Sequence, residues 1–584
     1  MSNPEEVFQQ VSKPARYTGG EWNSVPGDWA KKKVHIALAY PDLYELGMCN
    51  LGLAILYHIL NTQPDVLAER VFAPWVDMEE QIRRHRVPLF SLESRRPLRD
   101  FDIIGFSLGY ELTYTNVLNM LDLAGLPVLA AERDNSCPLV IAGGSCALNP
   151  EPMSDFIDLF ILGEAEEVVL ELVEAFRSYG GDKPALLRQA ARIPGVYVPR
   201  FYEVGYHHDG TVREVLPQVA EVAATVTRRL IPRLLPPPRL IVPYVEVIHD
   251  HGVVEIQRGC TRGCRFCQAG IIYRPVRERS VDEVLQAVKQ VQSECGYSEI
   301  SLLSLSSGDH SGIGELVRAL SRKAAQDNLS FSLPSLRLDG SSLKLIDSLP
   351  RKHKATVTFA PEAGTERLRR AINKPLNQDV LVDTIASACE RDWLNVKLYF
   401  MLGLPTETME DIEGIVGLAR EVRRLLGKQP KLRFSLATVV PKPHTVFQWL
   451  AQATGAELAP RYDYLRRELR RAGVNFNWQE PSLSQLEAVL CRGDRRLGRV
   501  IHTAWRSGSR FDGWREHFDH SRWLDALDKC GLDAAFYAHR QRGLDEVLPW
   551  GHVSTGVSAR FLEREFGRIW QSEETADCRL GPCQ

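Results

Sequence analysis

Twice along this chain short apolar runs alternate with amphipathic helical stretches, and a proline-rich connector separates the two series. That alternation is the strongest constraint on the fold, because strands joined by helical crossovers pair in parallel and bury both faces. In the first series Val34–Tyr40, Asp102–Leu108, Leu139–Ala142 and Asp158–Leu162 read as buried strands, with helices over Leu51–Leu60 and Leu112–Leu123. The expected architecture is α/β: a doubly wound (Rossmann or flavodoxin-like) domain over residues 34–194, preceded by a polar extension, residues 1–33. Its turns carry Pro41, Gly47, Gly105, Gly109 and the pair Gly143 and Gly144. Glycine at the carboxyl ends of parallel strands admits a phosphate or a flat cofactor close to the backbone, although tight turns alone also account for it.

Residues 195–244 form the connector, where Pro232, Pro236, Pro237 and Pro238 bar both a helix and a central strand. The second series occupies residues 245–450, with strands expected at Val253–Gln257, Glu299–Leu305, Ser330–Pro334, Thr356–Ala360, Asn395–Met401 and Arg433–Val439. Ser280, followed three residues later by Glu283, opens one of the intervening helices as a capping box. Six βα units predict a parallel barrel, complete or partial, with its chemistry at the carboxyl ends of the strands. Residues 451–584 read as mainly helical. Arg461–Arg510 is rich in arginine, with Tyr462, Tyr464, Phe476, Trp478 and Trp505 interspersed. Such a stretch serves either as a phosphate and base-stacking surface for RNA or as a solvated helix face with its aromatics turned inward.

A net charge of −3 gives no global field toward nucleic acid or membrane. No apolar run approaches the ~20 residues of a spanning helix, and Met1–Lys33 lacks the apolar core of a signal peptide. The expectation is a cytoplasmic protein without a membrane partner. In a reducing compartment clustered cysteines bind metals or do chemistry more often than they pair. Of the 12 cysteines only two groups are tight, Cys260, Cys264 and Cys267 near the middle and Cys578 with Cys583 at the end.

The spacing Cys260-x3-Cys264-x2-Cys267 directly follows the first expected barrel strand. Thiolates ligate iron–sulfur clusters, and a cubane has four irons, so three cysteines leave one iron open to a small molecule bearing an amine and a carboxylate. A structural zinc site needs a fourth ligand at finger-like spacing, and none follows closely, His310 being remote. Gly259 and Gly263 give the loop freedom to wrap, and Phe266 is placed to shield a cluster from water. Cys578 and Cys583 read as ligands of an auxiliary centre or as part of a solvated tail.

This three-cysteine motif resembles the signature of the radical S-adenosylmethionine (radical SAM) superfamily. The resemblance implies a [4Fe-4S] cluster on Cys260, Cys264 and Cys267, SAM on the open iron, and an external electron donor of the flavodoxin or ferredoxin type. Ser307, Gly308 and Asp309 stand where the superfamily has the turn that holds the SAM amino group. Glu362, Gly403 and Pro405, and Val440 stand in segments that resemble those of the methylthiotransferase-like and cobalamin-type branches. The first domain resembles the cobalamin-binding module of such enzymes, Gly143 and Gly144 matching its late glycine pair and Ser107 an earlier serine. It departs from that module in having no Asp-x-His-x-x-Gly, so a cobalamin-bearing and a cofactor-free module both fit. The whole layout is similar to a largely uncharacterised family of long radical SAM proteins.

The expected function is reductive cleavage of SAM to a 5′-deoxyadenosyl radical acting on an unidentified substrate. Cobalamin-assisted methyl transfer is one outcome, and a methylthiotransferase-like RNA modification is another. The rival class is a non-catalytic iron–sulfur protein that binds RNA or senses redox state, and the retained Gly308, Asp309 and Glu362 argue against it. Lys397 reads as an active-site contact or as a brace to Glu362.

Overall fold

The computed structural model describes residues 7–178, 180–335, 356–390, 395–426 and 431–580. The first series folds as β1 (Val34–Tyr40), α1 (Leu51–Asn61), β2 (Val66–Phe72), β3 (Ile103–Ser107), α2 (Tyr114–Leu123), β4 (Leu139–Gly143), β5 (Leu159–Ile161), α3 (Val168–Arg177) and β6 (Val196–Tyr197). These six strands form one sheet in the order β2-β1-β3-β4-β5-β6, parallel except for the last pair. The chain steps outward from β1 to β2 and returns to β3, so the strand order reverses between β1 and β3. In open α/β sheets ligands bind outside the carboxyl ends at such a switch point.

The sequence pattern did not reveal β2, because Glu69 and Arg70 interrupt its apolar run. Both are nonetheless buried. Arg70 lies between Glu21 (2.8 Å) and Glu93 (2.6 Å), and Glu69 accepts from Ser91 (2.5 Å) and Ser94 (2.6 Å). Buried charges of this kind persist only when paired, and the partners lie too far along the chain to be seen in a local window.

The connector contains an antiparallel hairpin, Tyr202–Tyr206 with Val212–Pro217. The second series follows as β7 (Gly252–Glu255), α4 (Val281–Cys295), β8 (Glu299–Leu303), α5 (Ile313–Asp327), β9 (Ser330–Ser332), β10 (Thr356–Glu362), α6 (Gln378–Glu390), β11 (Asn395–Leu402), α7 (Met409–Leu426), β12 (Lys431–Thr438), α8 (Gly455–Arg471) and β13 (Asn475–Trp478). The capping box at α4 forms as expected, with Ser280 and Glu283 each bonding the other's backbone N–H. All seven strands pair in parallel, but in two sheets, β7-β8-β9 and β10-β11-β12-β13, which makes the barrel partial among the described residues. The last strand, β13, comes from the region that reads as mainly helical; four residues are too few for alternation to register.

The remaining helices divide between the two halves. α9 (Pro481–Cys491), α10 (Leu497–Arg506) and α11 (His520–Lys529) pack on the first domain, Val489, Ile501 and Trp523 sharing its core with Leu121 and Phe156. α12 (Ala559–Gln571) instead packs on the barrel, where Leu562 and Ile569 meet Ile271, Phe447 and Trp550. Lys442 sits at the junction of all three regions, paired with Glu111 and Glu487 at 2.8 Å each. Among the described residues no helix is long and apolar enough to cross a membrane.

Candidate active site

The cysteine loop leaves the barrel at Gly259, whose φ of +88° and close approach to Tyr273 O (2.5 Å from an added Cβ) exclude a side chain. Its two ends are clamped by a short antiparallel pairing, Gln257 with Glu278 and Arg258 with Arg277. Cys260, Cys264 and Cys267 are all free thiols and partly exposed. Arg262 N–H donates to Cys260 Sγ (3.4 Å) and Gly270 N–H to Cys267 Sγ (3.3 Å), Cys267 being the N-cap of a short helix. Burial outweighs these donors and raises both thiols, Cys267 to about 11. Such thiols keep their protons near neutrality unless a metal centre takes the protons' place, and a coordinating thiol is deprotonated outright.

Among the described residues no three His, Cys, Asp or Glu side chains converge as ligands of a single metal ion. The donor chemistry of the loop still suits a cubane, whose ligands stand further apart than those of one ion. Phe266 packs toward Phe447 (ring centroids 6.4 Å apart) in the apolar cluster beneath the loop.

The underside of the loop is held by Arg265, which is fully buried. It pairs with Glu565 of α12 (3.0 Å) and donates to the carbonyls of Ala371 (2.7 Å) and Glu573 (2.8 Å). From there the chain runs on as a strap over the loop. Thr575 N–H donates to Asn373, whose amide donates to Gly263 O. Asp577 accepts from Thr261 (3.0 Å) and pairs with Arg262 (3.0 Å), and Cys578 N–H donates to Thr261 O (3.2 Å). Although burial works against it, hydrogen bonds from Arg579 and Thr261 hold the Asp577 carboxyl at about 2. Cys578 is disulfide-bonded, and Cys583 lies outside the described residues.

The other residues singled out by the sequence surround this loop or line the neighbouring cavity. At the end of β8, Ser307 is buried with Oγ donating to Pro334 O (2.6 Å), and Gly308 lies in the turn that follows. Asp309 accepts from both arms of Arg262 (2.9 and 2.5 Å), from Ser306 (2.6 Å) and from Arg579 (3.0 Å). Burial raises this carboxyl, but the bonds from Arg262 and Ser306 prevail and bring it below its ordinary value. Glu362 sits at a β-bulge at the end of β10 with φ +67° and pairs with Lys374 (2.7 Å). The brace from Lys397 to Glu362 does not form: Lys397 is registered with Thr358, further down the strand, and donates to Tyr399 Oη (2.6 Å).

After β11, Gly403 (φ +82°) and Pro405 lie in a turn closed by Glu407, which accepts from Gly403 N–H (3.0 Å). Burial raises Glu407 to about 7 despite that bond and the nearby Arg461. Val440 follows β12 and packs at the edge of the first domain's core.

Gly143 and Gly144 end β4, and a Cβ on Gly144 (φ +110°) would meet Leu108 O at 2.5 Å. With Gly105 and Gly109 they border a cavity of about 470 Å³ between the sheet and helices α1 and α3. Its wall is apolar (Ile36, Leu38, Ile141, Leu172), and its mouth reaches Gln257, Arg258 and Gly259, where the cysteine loop begins. A second cavity of about 730 Å³ lies between the first domain and the inner faces of β8, β9 and β10. No local sequence pattern marks it, because it is assembled from residues of separate strands, a helix and the connector.

The arginine-rich stretch is largely committed to the protein itself. Arg461 pairs with Glu407, Arg471 with Glu468, Arg495 with Glu151, Arg496 with Asp494 and Arg510 with Glu79. Arg492 is buried and donates to the carbonyls of Leu450, Tyr537 and Arg540.

Residues 254–419 match the family model of the radical SAM superfamily, and residues 52–199 that of the N-terminal domain of radical SAM proteins. The parallel barrel with these two matches defines the class: a radical SAM enzyme, which works with a [4Fe-4S] cluster and SAM and draws on an electron donor. The chain is a radical SAM protein of the long type, with the sheet domain ahead of the barrel. It is 27% identical over 477 residues to the uncharacterized protein MJ0966 of Methanocaldococcus jannaschii, covering 80% of this chain and 90% of that one. It is 25% identical to the uncharacterized methyltransferase PH0819 of Pyrococcus horikoshii, over 55% of this chain and 65% of that one. Among solved structures, the radical SAM methyltransferase TsrM of Kitasatospora setae with cobalamin and [4Fe-4S] cluster aligns at a TM-score of 0.46. That alignment has 13% identity and covers 72% of this chain and 79% of that one.

Proposed function

We propose that this chain is a cobalamin-assisted radical SAM methyltransferase, with its [4Fe-4S] cluster on Cys260, Cys264 and Cys267. The observation that carries the reading is the glycine-bordered apolar cavity between β1, β3, β4 and the helices α1 and α3, opening at the carboxyl ends of the strands. Gly105, Gly109, Gly143 and Gly144 leave that edge bare, so a broad flat group can lie against the backbone while an appendage enters the apolar wall. No histidine lines this cavity among the described residues. The resemblance of PH0819, a protein named as a methyltransferase, points the same way.

When bound, the cluster supplies the electron that cleaves SAM and cobalamin supplies a methyl carrier. The chain's own residues bind, orient and exclude water. Ser307, Gly308 and Asp309 offer the amino end of SAM a carboxylate and a turn at the end of β8. Arg579 is the partner that yields its place on Asp309, since its side chain is 46% exposed while that of Arg262 is 29% exposed and fixed within the loop. Gly403 and Pro405 shape the turn on the opposite side, and Val440 would lie toward the adenosine of bound SAM. α12 and the strap from Thr575 to Arg579 cover the loop against water and oxygen. A flavodoxin- or ferredoxin-type protein is the electron donor in this reading.

The test is cobalamin retention by protein purified and reconstituted without oxygen. Stoichiometric cobalamin should persist through gel filtration, and SAM with a reductant should then give S-adenosylhomocysteine. Gly143→Leu, which fills the cavity edge where an added Cβ finds 3.5 Å of room, should lose the cobalamin and keep its iron. Failure of the unaltered protein to retain cobalamin, or full retention by Gly143→Leu, overturns the reading.

A further inference from the structure

The inner face of the barrel carries two cations that no acid answers among the described residues. Along β10, β11 and β12 alternate residues point outward into one apolar core: Val357, Phe359, Val396, Leu398, Leu432 and Phe434. Strand alternation therefore turns Thr358, Lys397, Tyr399, Arg433 and Ser435 to the opposite, inner face. The register sets Thr358 beside Lys397 and Lys397 beside Arg433 on neighbouring strands, about 4.8 Å apart along the sheet. Thr358 lines the 730 Å³ cavity, and Lys397 and Arg433 follow it across the sheet on the next two strands.

Elsewhere in this protein buried cations find acids or, like Arg492 and Arg369, several backbone carbonyls. Arg70 has Glu21 and Glu93, Arg258 has Glu255 and Glu166, and Lys442 has Glu111 and Glu487. Lys397 instead donates to the neutral Tyr399 hydroxyl and lies over its ring at 4.5 Å. Arg433 has no ion pair or hydrogen bond among the described residues, and Glu362, the acid at the top of the same face, is taken by Lys374. Like charges directly opposite one another on neighbouring strands repel, and the arrangement costs stability unless an anion lies between them.

We propose that Lys397 and Arg433 form an anion station in the barrel lumen that holds a carboxylate or phosphate group of the substrate. The proposal rests on reading the barrel as the seat of the radical chemistry and extends it to a substrate class. Tyr399 and Ser435, registered with each other one step nearer the cluster, offer hydroxyls. Met401 follows and packs with the apolar residues around the cysteine loop. From Lys397 to Met401 is four residues, about 13 Å at the rise of a strand. The substrate is thus an elongated small molecule, anionic at its far end, polar in the middle, and reacting where the lumen meets the loop. A cavity of this volume suits a small molecule.

The experiment uses the full chain, reconstituted without oxygen, with inorganic pyrophosphate and glutarate as separate probes at constant ionic strength. Titration calorimetry and melting temperature are read for the unaltered protein, Lys397→Gln/Arg433→Gln, each single variant, and Lys289→Gln/Arg322→Gln as a charge-matched control on α4 and α5. At least one probe should bind and raise the melting temperature, and the double variant should bind it tenfold or more weakly. The singles should fall between, and the control should match the unaltered protein. Binding of pyrophosphate alone assigns a phosphorylated substrate, and binding of glutarate alone a carboxylate. Without any probe the double variant should melt at or above the unaltered protein, because a repulsion has been removed. The proposal is overturned if neither probe binds, if the double variant binds as well as the control, or if it melts lower without probe. None of these readouts depends on SAM cleavage or cobalamin, so a chain that binds the probes but not cobalamin loses only the methyl-transfer reading.

Discussion

The six-stranded sheet and the barrel are built from the same strand–helix units, yet they use their faces differently. β4 and β5 are apolar throughout, β1 is apolar apart from His35, and all three are covered on both sides, so the sheet offers a ligand only its carboxyl edge and the apolar gap behind it. β11 and β12 alternate, with every second residue accessible and most of these polar, Met401 and Ala437 excepted. In a closed eight-stranded barrel the interior is packed with branched apolar side chains; here it is left open and polar. Recognition in the first region is therefore a matter of shape and exclusion of water, and in the second a matter of charge and hydrogen bonding.

That contrast can be broken in four ways, in descending order of effect. Cys264→Ala should lose most of its iron and lower SAM cleavage about 100-fold or more, since even partners of metal ligands cost about 10–100-fold. Iron analysis and 5′-deoxyadenosine assay would read this, and cobalamin retention should stay unchanged. Arg265→Met removes the cation that anchors the loop and leaves Glu565 buried with only Arg568 and Thr575. A cost of about 3–5 kcal/mol in denaturant unfolding is expected, with early loss of iron.

Gly144→Ala belongs to the other region. It forces a side chain into positive φ against Leu108 O, at a cost of about 1–3 kcal/mol. Cobalamin retention should suffer and iron content should not; equal losses of both would deny that the two regions bind separately. The smallest effect is Glu407→Gln. Because burial raises this carboxyl to about 7, the folded state takes up a proton that the unfolded chain holds only below its ordinary value near 4.5. Its contribution is full below about 4.5 and is lost as pH rises through 7. The melting temperature of the unaltered protein relative to Glu407→Gln should fall from pH 5 to pH 7.5, and a constant difference would contradict the assignment.

Much of this organisation was legible in the residues themselves. Apolar runs located β1, β3, β4 and β5 because strands buried on both faces need no alternation to be recognised. The spacing of the cysteines after a strand identified the loop, since few other constellations leave a cubane one ligand short. What escaped was everything settled by distant pairing. β2 hid behind Glu69 and Arg70, whose partners come from other loops. Arg461–Arg510 read as either a phosphate-binding surface or a solvated helix face, yet Arg461, Arg495 and Arg510 answer Glu407, Glu151 and Glu79 across the fold. The row of Lys397 and Arg433 required the register of two strands, which no local pattern contains.

The strap over the cysteine loop also fixes an order of events in the life of the chain. Thr261 and Asp577, which bond to each other, are 316 residues apart. During synthesis the loop therefore emerges long before the residues that brace it, and its thiols stand unguarded while the last helices are made. Bracing of the loop is consequently a late step, which waits for Thr575 and Asp577 to be made. A polypeptide cut short before Thr575 would present the same three cysteines without the Thr575–Asn373 and Thr261–Asp577 bonds that brace their loop.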